Sequence, residues 1–241
     1  MNKGFTLVEL MLAMTFISTL LLVIAMTIVQ IANIYNRGMI LKGVNQNARS
    51  ISEELDRAVS ASSTFSTDSA AQRYVNNQWG GRMCLGQNSY VWNYGTALSA
   101  QSPNRNMYSA INTAGNVIRE GSNVRSEIGF VKVLDPAGSY CIPNGEGVYP
   151  LVDPTNATEL LRSGDHTLVI HAFSVTSEPT AKDELSAQAM YKMSFTIGTN
   201  NLDALTADRT ACKAPNVPGS DLNYCSIQQF TIVLRAVSGV N

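Results

Sequence analysis

The chain has 241 residues, 45% of them hydrophobic and only 15% charged, with 17 basic and 18 acidic residues and a formal net charge of -1. That length suits one sizeable core, or one domain plus an anchor. The basic residues are scattered, without the Lys/Arg cluster that a polyanion needs, so no nucleic-acid partner is expected.

From Phe5 to Val29 the chain reads FTLVELMLAMTFISTLLLVIAMTIV, 25 residues whose only charge is Glu9. A helix crosses a bilayer core with ~20 apolar residues, so this run is long enough to span. A secretory signal would have an apolar region of ~7–15 residues followed by a small-residue cleavage site. Here the run is longer, and Lys3 is the only basic residue before it. No cysteine lies near the start to take a lipid anchor. The segment therefore reads as a retained membrane helix. A carboxylate in hydrocarbon costs ~2.5–3.5 kcal/mol on insertion scales, so Glu9 is either shallow and tolerated or has a partner.

The residues around it favour a partner. Met1-Asn2-Lys3-Gly4 followed by Phe5-Thr6-Leu7-Val8-Glu9 resembles the class III signal of type IV prepilins and type II secretion pseudopilins, over roughly residues 1–30. The resemblance implies a leader at 1–4, removed by a membrane peptidase that cuts after Gly4 and methylates the new N-terminus, Phe5. Residues 5–30 then remain as the transmembrane and polymerisation helix. Cutting before Phe5 creates an ammonium at the start of a helix, where the macrodipole already carries positive charge. Glu9 lies one turn on along the same face. Each buried charge is costly alone and much less so when paired. In the family the pair forms between neighbouring subunits, which makes Glu9 an assembly residue. Glycine before the cut leaves the backbone unobstructed at the peptidase.

Beyond the span, Leu41, Val44, Ala48, Ile51, Leu55 and Ala58 recur at steps of three and four, the stripe of an amphipathic helix. Residues 31–60 are expected to continue the first helix, with Glu53 and Arg57 forming an i,i+4 pair. A helix from Phe5 to Ser60 would be ~84 Å long, so its second half must pack on a head. Gly38 and Gly43 soften the juncture by ~1 kcal/mol each. The first proline of the chain is Pro103, whereas many major pilins carry one in the membrane half of this helix. Arg37, Lys42 and Arg49 follow the span, and the positive-inside rule would place them in the cytoplasm. The leader resemblance and the cysteines argue for the opposite orientation, with the head outside the cytoplasmic membrane.

Residues 61–241 are expected to form a soluble β-rich head. Ala61–Arg82 reads as a polar, turn-rich loop. Strands are expected at Ser89–Tyr94, Glu127–Leu134, His166–Val175, Met190–Ile197 and Ser226–Val237, with an Asn/Gly/Ser-rich connection from Gly95 to Asn123. One long helix followed by antiparallel strands gives an α+β fold, the sheet packed on the amphipathic half of the helix. Pilin heads have this arrangement, as the resemblance implies. Tyr90, Trp92 and Tyr94 would share one strand face, better suited to packing than to ligand stacking.

Cys84, Cys141, Cys212 and Cys225 show no metal-binding spacing, and four cysteines allow three disulfide connectivities. Cys212 and Cys225 bracket a loop with Pro215, Pro218 and Gly219 before the last strand, and pairing them leaves Cys84 for Cys141. The alternative is four buried thiols. A disulfide-bounded C-terminal loop is also what the resemblance implies. His166 and His171, the only histidines, lie five apart on an expected strand, which puts them on opposite faces. No phosphate loop or catalytic constellation appears, and Asn156-Ala157-Thr158 is a sequon too short to decide anything. No enzyme activity, cofactor or metal is expected.

The resemblance thus implies a structural subunit of a type IV pilus or pseudopilus, its large head resembling minor pilins of the J/W type. Its partners would be other pilin subunits, the prepilin peptidase/methyltransferase, the inner-membrane assembly platform and the membrane itself. The alternative is a filament-presented adhesin or DNA-uptake receptor.

Overall fold

The computed structural model describes residues 6–67, 73–99, 110–111, 117–118, 129–145, 149–150, 152, 156–161, 168–177 and 189–236. One helix, α1, runs from Leu7 to Ser60 over 54 residues, ~81 Å at 1.5 Å per residue. Its buried side chains are Ile40, Val44, Asn47, Ala48, Ile51, Leu55 and Val59. That is the expected stripe, except that Ile40 and Val59 close its ends while Leu41 and Ala58 are only half-buried. The expected pair of Glu53 with Arg57 does not form. Glu53 instead takes Arg49 at 3.1 Å, and Arg57 reaches Glu54 at 3.4 Å. Both pairings join helical neighbours, at i,i+4 and i,i+3, and Arg57 meets a carboxylate that is already turned to the sheet, where Lys132 also reaches it.

The head is a pair of antiparallel sheets. Five strands, β1 (Tyr74–Asn76), β2 (Gly80–Leu85), β3 (Asn88–Asn93), β6 (Phe130–Leu134) and β7 (Ala157–Glu159), lie in the order β1-β2-β3-β6-β7. Three long strands, β8 (Leu168–Ser177), β9 (Ala189–Thr199) and β10 (Ile227–Ala236), lie in the order β10-β9-β8. A short helix α2 (Gly95–Ser99) and a two-residue pair, β4 (Ala110–Ile111) with β5 (Val117–Ile118), occupy the expected polar connection. The α+β reading therefore holds, with α1 packed chiefly on β10 and β9.

The expected loop at Ala61–Arg82 is corrected: it contains β1 and the start of β2. Gly80 and Gly81 mark a close approach here and make no turn. A Cβ on Gly80 would strike the Trp92 carbonyl, and one on Gly81 would strike the Trp92 ring. The strand can lie against that indole only without side chains.

Aromatic rings join the two sheets. Trp92 meets Phe130 edge-on at 5.9 Å and Phe173 at 4.3 Å, and the series continues through Phe195 to Phe230. Tyr90, Trp92 and Tyr94 are all buried, so that face packs the core. Side chains also close the edge of β8. The Tyr94 hydroxyl accepts from the Phe173 N–H at 3.2 Å, Asn76 donates to the Phe173 carbonyl at 2.7 Å, and Tyr74 accepts from the Val175 N–H at 3.3 Å. An open strand edge is thereby satisfied without another strand.

Candidate assembly site

The site begins at the N-terminus of α1. Thr6 is the N-cap of α1, with extended backbone at φ -79 and ψ 150. Its Oγ1 accepts the Glu9 N–H at 3.3 Å, while Glu9 Oε2 accepts the Thr6 N–H at 2.9 Å and the Thr6 hydroxyl at 2.8 Å. This is a capping box, which satisfies orphan amides at the helix start. The spacing Thr6-x-x-Glu9 carried the signal in the sequence, but the sequence reading gave Glu9 an intersubunit role alone. Both Thr6 donors use one oxygen, and Glu9 Oε1 has no partner among the described residues. Gly4 and Phe5, the expected cleavage and methylation positions, lie outside the described residues.

From Thr6 to Ala32 every side chain is exposed, and Asn33 is the first residue that the head shades. The helix is long and apolar enough to cross a membrane. Its hydroxyls turn inward: Thr15, Ser18, Thr19 and Thr27 donate to the carbonyls of Leu12, Met14, Phe16 and Val23 at 2.8–2.9 Å. No hydroxyl along this surface needs water, which suits a hydrocarbon environment.

At the other end a polar cluster locks α1 to the head. Tyr90 and Lys132 face each other across β3 and β6. Both converge on Glu54 Oε1, the tyrosine hydroxyl at 2.8 Å and the Lys132 Nζ at 2.6 Å. Burial pushes the Glu54 carboxyl up, but these two hydrogen bonds and the neighbouring cations outweigh it and leave the group below the usual carboxylate range.

The head is stapled by two disulfides, Cys84–Cys141 and Cys212–Cys225. Asp135 organises the first. It accepts hydrogen bonds from the Ser89 hydroxyl at 2.7 Å, the Ser139 hydroxyl at 2.8 Å and the Ser139 and Tyr140 amides at 3.0 Å. The turn after β6 is thus folded back so that Cys141 reaches β2. Burial alone would raise the Asp135 carboxyl, yet those donors together hold it low. Arg82, fully buried, donates to the carbonyls of Tyr140 and Pro150 at 2.6 and 2.8 Å and lies over the Tyr149 ring. Burial brings its guanidinium down to about 9.

His171 sits at the bulge of β8, its Nε2 3.2 Å from the Thr199 carbonyl, and burial lowers it to about 4. It is neutral and part of the packing. His166 lies outside the described residues. Among the described residues no cluster of three or more His, Cys, Asp and Glu converges as a metal site. Comparison with known protein families, characterised proteins and solved structures finds no match to the chain.

Proposed function

We propose that this chain is a structural, minor subunit of a type IV pilus or pseudopilus, with a mechanical role and no catalytic one. It is held in the cytoplasmic membrane by α1 with its head outside, is cut after Gly4 and methylated on Phe5, and then joins a helical filament through α1. The observation that carries the reading is Glu9, the only charge on the exposed apolar half of α1, with Oε1 unengaged by the capping box. That oxygen can accept an ammonium from a neighbouring subunit while Oε2 still caps the helix. The two disulfides support an oxidising compartment for the head. A head that leaves 26 consecutive helix residues, Leu7 to Ala32, exposed supports burial of that surface elsewhere, first in lipid and then among other helices.

The test separates processing from assembly. Gly4→Val should leave an uncut precursor in the membrane, and the processed wild type should begin at methylated Phe5 by intact mass. Glu9→Gln keeps the capping box, since glutamine serves at that position, but removes the charge. Membrane levels and cleavage should hold, while incorporation into sheared filaments falls, because a neighbour's ammonium loses its partner at a cost of ~3–5 kcal/mol. Normal incorporation of Glu9→Gln would overturn the charge-pairing mechanism. Cleavage of Gly4→Val to the same N-terminus would overturn the prepilin reading itself.

A further inference from the structure

We infer that the Cys212–Cys225 loop is a foot that rests on the lipid headgroups, with Tyr224 as its interfacial anchor. The inference rests on α1 being the membrane span. The loop lies against the helix just past the apolar half: the Tyr224 hydroxyl accepts from Asn36 Nδ2 at 3.2 Å. From Leu7 to Asn36 is 30 residues of unbroken helix, ~44 Å of rise over 29 steps. A bilayer with both headgroup layers measures ~40–45 Å. With Leu7 at one face, Asn36 and the tyrosine bonded to it therefore fall in the opposite headgroup layer. The charges agree, since Arg37 is the first charged residue after Glu9. So does the shading of the helix, which begins only at Asn33.

The chemistry of the loop suits that layer. Tyr224 and Val217 remain 44% and 41% exposed on it, and Tyr35 on the neighbouring helix turn is 65% exposed. Tyrosine favours the membrane interface because its ring is apolar and its hydroxyl polar. The loop carries one charge of each sign, Lys213 and Asp221. The contact is accordingly amphipathic, without a basic patch seeking anionic lipid. The loop is also stiff. The disulfide closes it, Leu205 bridges to Cys212, the Ser220 hydroxyl donates to the Lys213 carbonyl at 3.2 Å, and the Val217 and Cys225 amides donate to the carbonyls of Ala214 and Asp221. A rigid foot fixes how far the helix can sink and how the head stands before a subunit is drawn into a filament.

The test uses the full chain, reconstituted at low density in phosphatidylcholine/phosphatidylglycerol vesicles carrying a headgroup spin label. Tyr224→Trp is compared with Leu134→Trp, each against the parent chain. Leu134 is exposed and pairs with Asn88 beside the Gly86 turn, which lies next to Ala61 at the far end of α1. Fluorescence of the Tyr224→Trp indole should be quenched several-fold more than that of the Leu134→Trp indole, and Val217→Trp should follow Tyr224→Trp. Equal quenching at all three positions in chains that still float with the vesicles would overturn the foot. So would selective quenching at Tyr224→Trp that appears only as protein density rises, because contact with other copies would then bring the loop to the label. Loss of the chain from the vesicles in an alkaline wash is a separate result, which would refute the membrane span beneath both readings.

Discussion

The polar lock between α1 and the head gives the sharpest stability prediction. Glu54→Leu removes an acceptor that holds two donors, the Tyr90 hydroxyl and the Lys132 ammonium, from residues 36 and 78 positions away. Tyr90 is fully buried, so its hydroxyl is left unsatisfied at ~1–3 kcal/mol. The Lys132 side chain is 30% exposed and recovers part of its loss from water. The sum is ~3 kcal/mol, the low end for breaking a buried pair, or a fall in Tm of ~6–12 °C for a domain of this size. Near-UV circular dichroism of the full chain in detergent would follow the melting. Tyr90→Phe removes the stranded donor, so the double variant should be more stable than the sum of the single losses predicts, by ~1 kcal/mol. Because the Glu54 carboxyl is depressed in the fold, its contribution is present above the unfolded pKa of ~4.3 and is lost as pH falls through the folded value. The gap between wild type and Glu54→Leu should therefore narrow on acidification below that point. Additive single variants, or a gap that widens in acid, would refute the lock.

The two staples should differ in strength. Cys84 and Cys141 are 57 residues apart and Cys212 and Cys225 only 13. Loop entropy then gives ~4 kcal/mol for the first and ~3 kcal/mol for the second, measurable as the order of melting of the paired Cys→Ser variants. Peptide mapping without reductant should recover those two links, and four free thiols in exported protein would remove the oxidising-compartment argument. A Cβ at Gly43 meets nothing within 4 Å, so Gly43→Ala should stabilise the head by up to ~1 kcal/mol in the same melting assay, and a loss there would mean that the helix needs to bend at this point.

The parts of the fold legible in the sequence are those with local periodicity. The apolar run and the three-four stripe marked α1 to within two residues of its start. Short runs of β-branched and aromatic residues marked β3, β8, β9 and β10, although only β10 alternates between core and solvent along most of its length and β3 is buried on both faces. Glycine misled the reading at Gly80-Gly81, because a tight packing contact and a turn call for the same residue. The Thr6 cap was written in the sequence as a four-residue pattern and was obscured by the stronger leader motif around it. Glu54, Tyr90 and Lys132 carry no local sign at all, since their meeting depends on strand register and on the rotation of α1. Asp135 is the same case: only the fold shows that one aspartate gathers the turn that delivers Cys141 to Cys84.

The division of α1 has a consequence for how such residues can be interpreted. Between Asn33 and Ile40 the helix passes from full exposure to burial, and the main core cluster draws only on its later part, from Ile40 onward. The exposed apolar half therefore contributes nothing to the core of the head. Glu9 and Glu54 are 45 residues apart, ~68 Å along the helix, and share no partner. Their effects should be independent: Glu9→Gln should leave the Tm of the head unchanged, and Glu54→Leu should leave membrane insertion unchanged. If Glu9→Gln lowered the Tm, the two halves would be coupled through the helix, and an assembly defect in that variant could no longer be assigned to a missing charge pair.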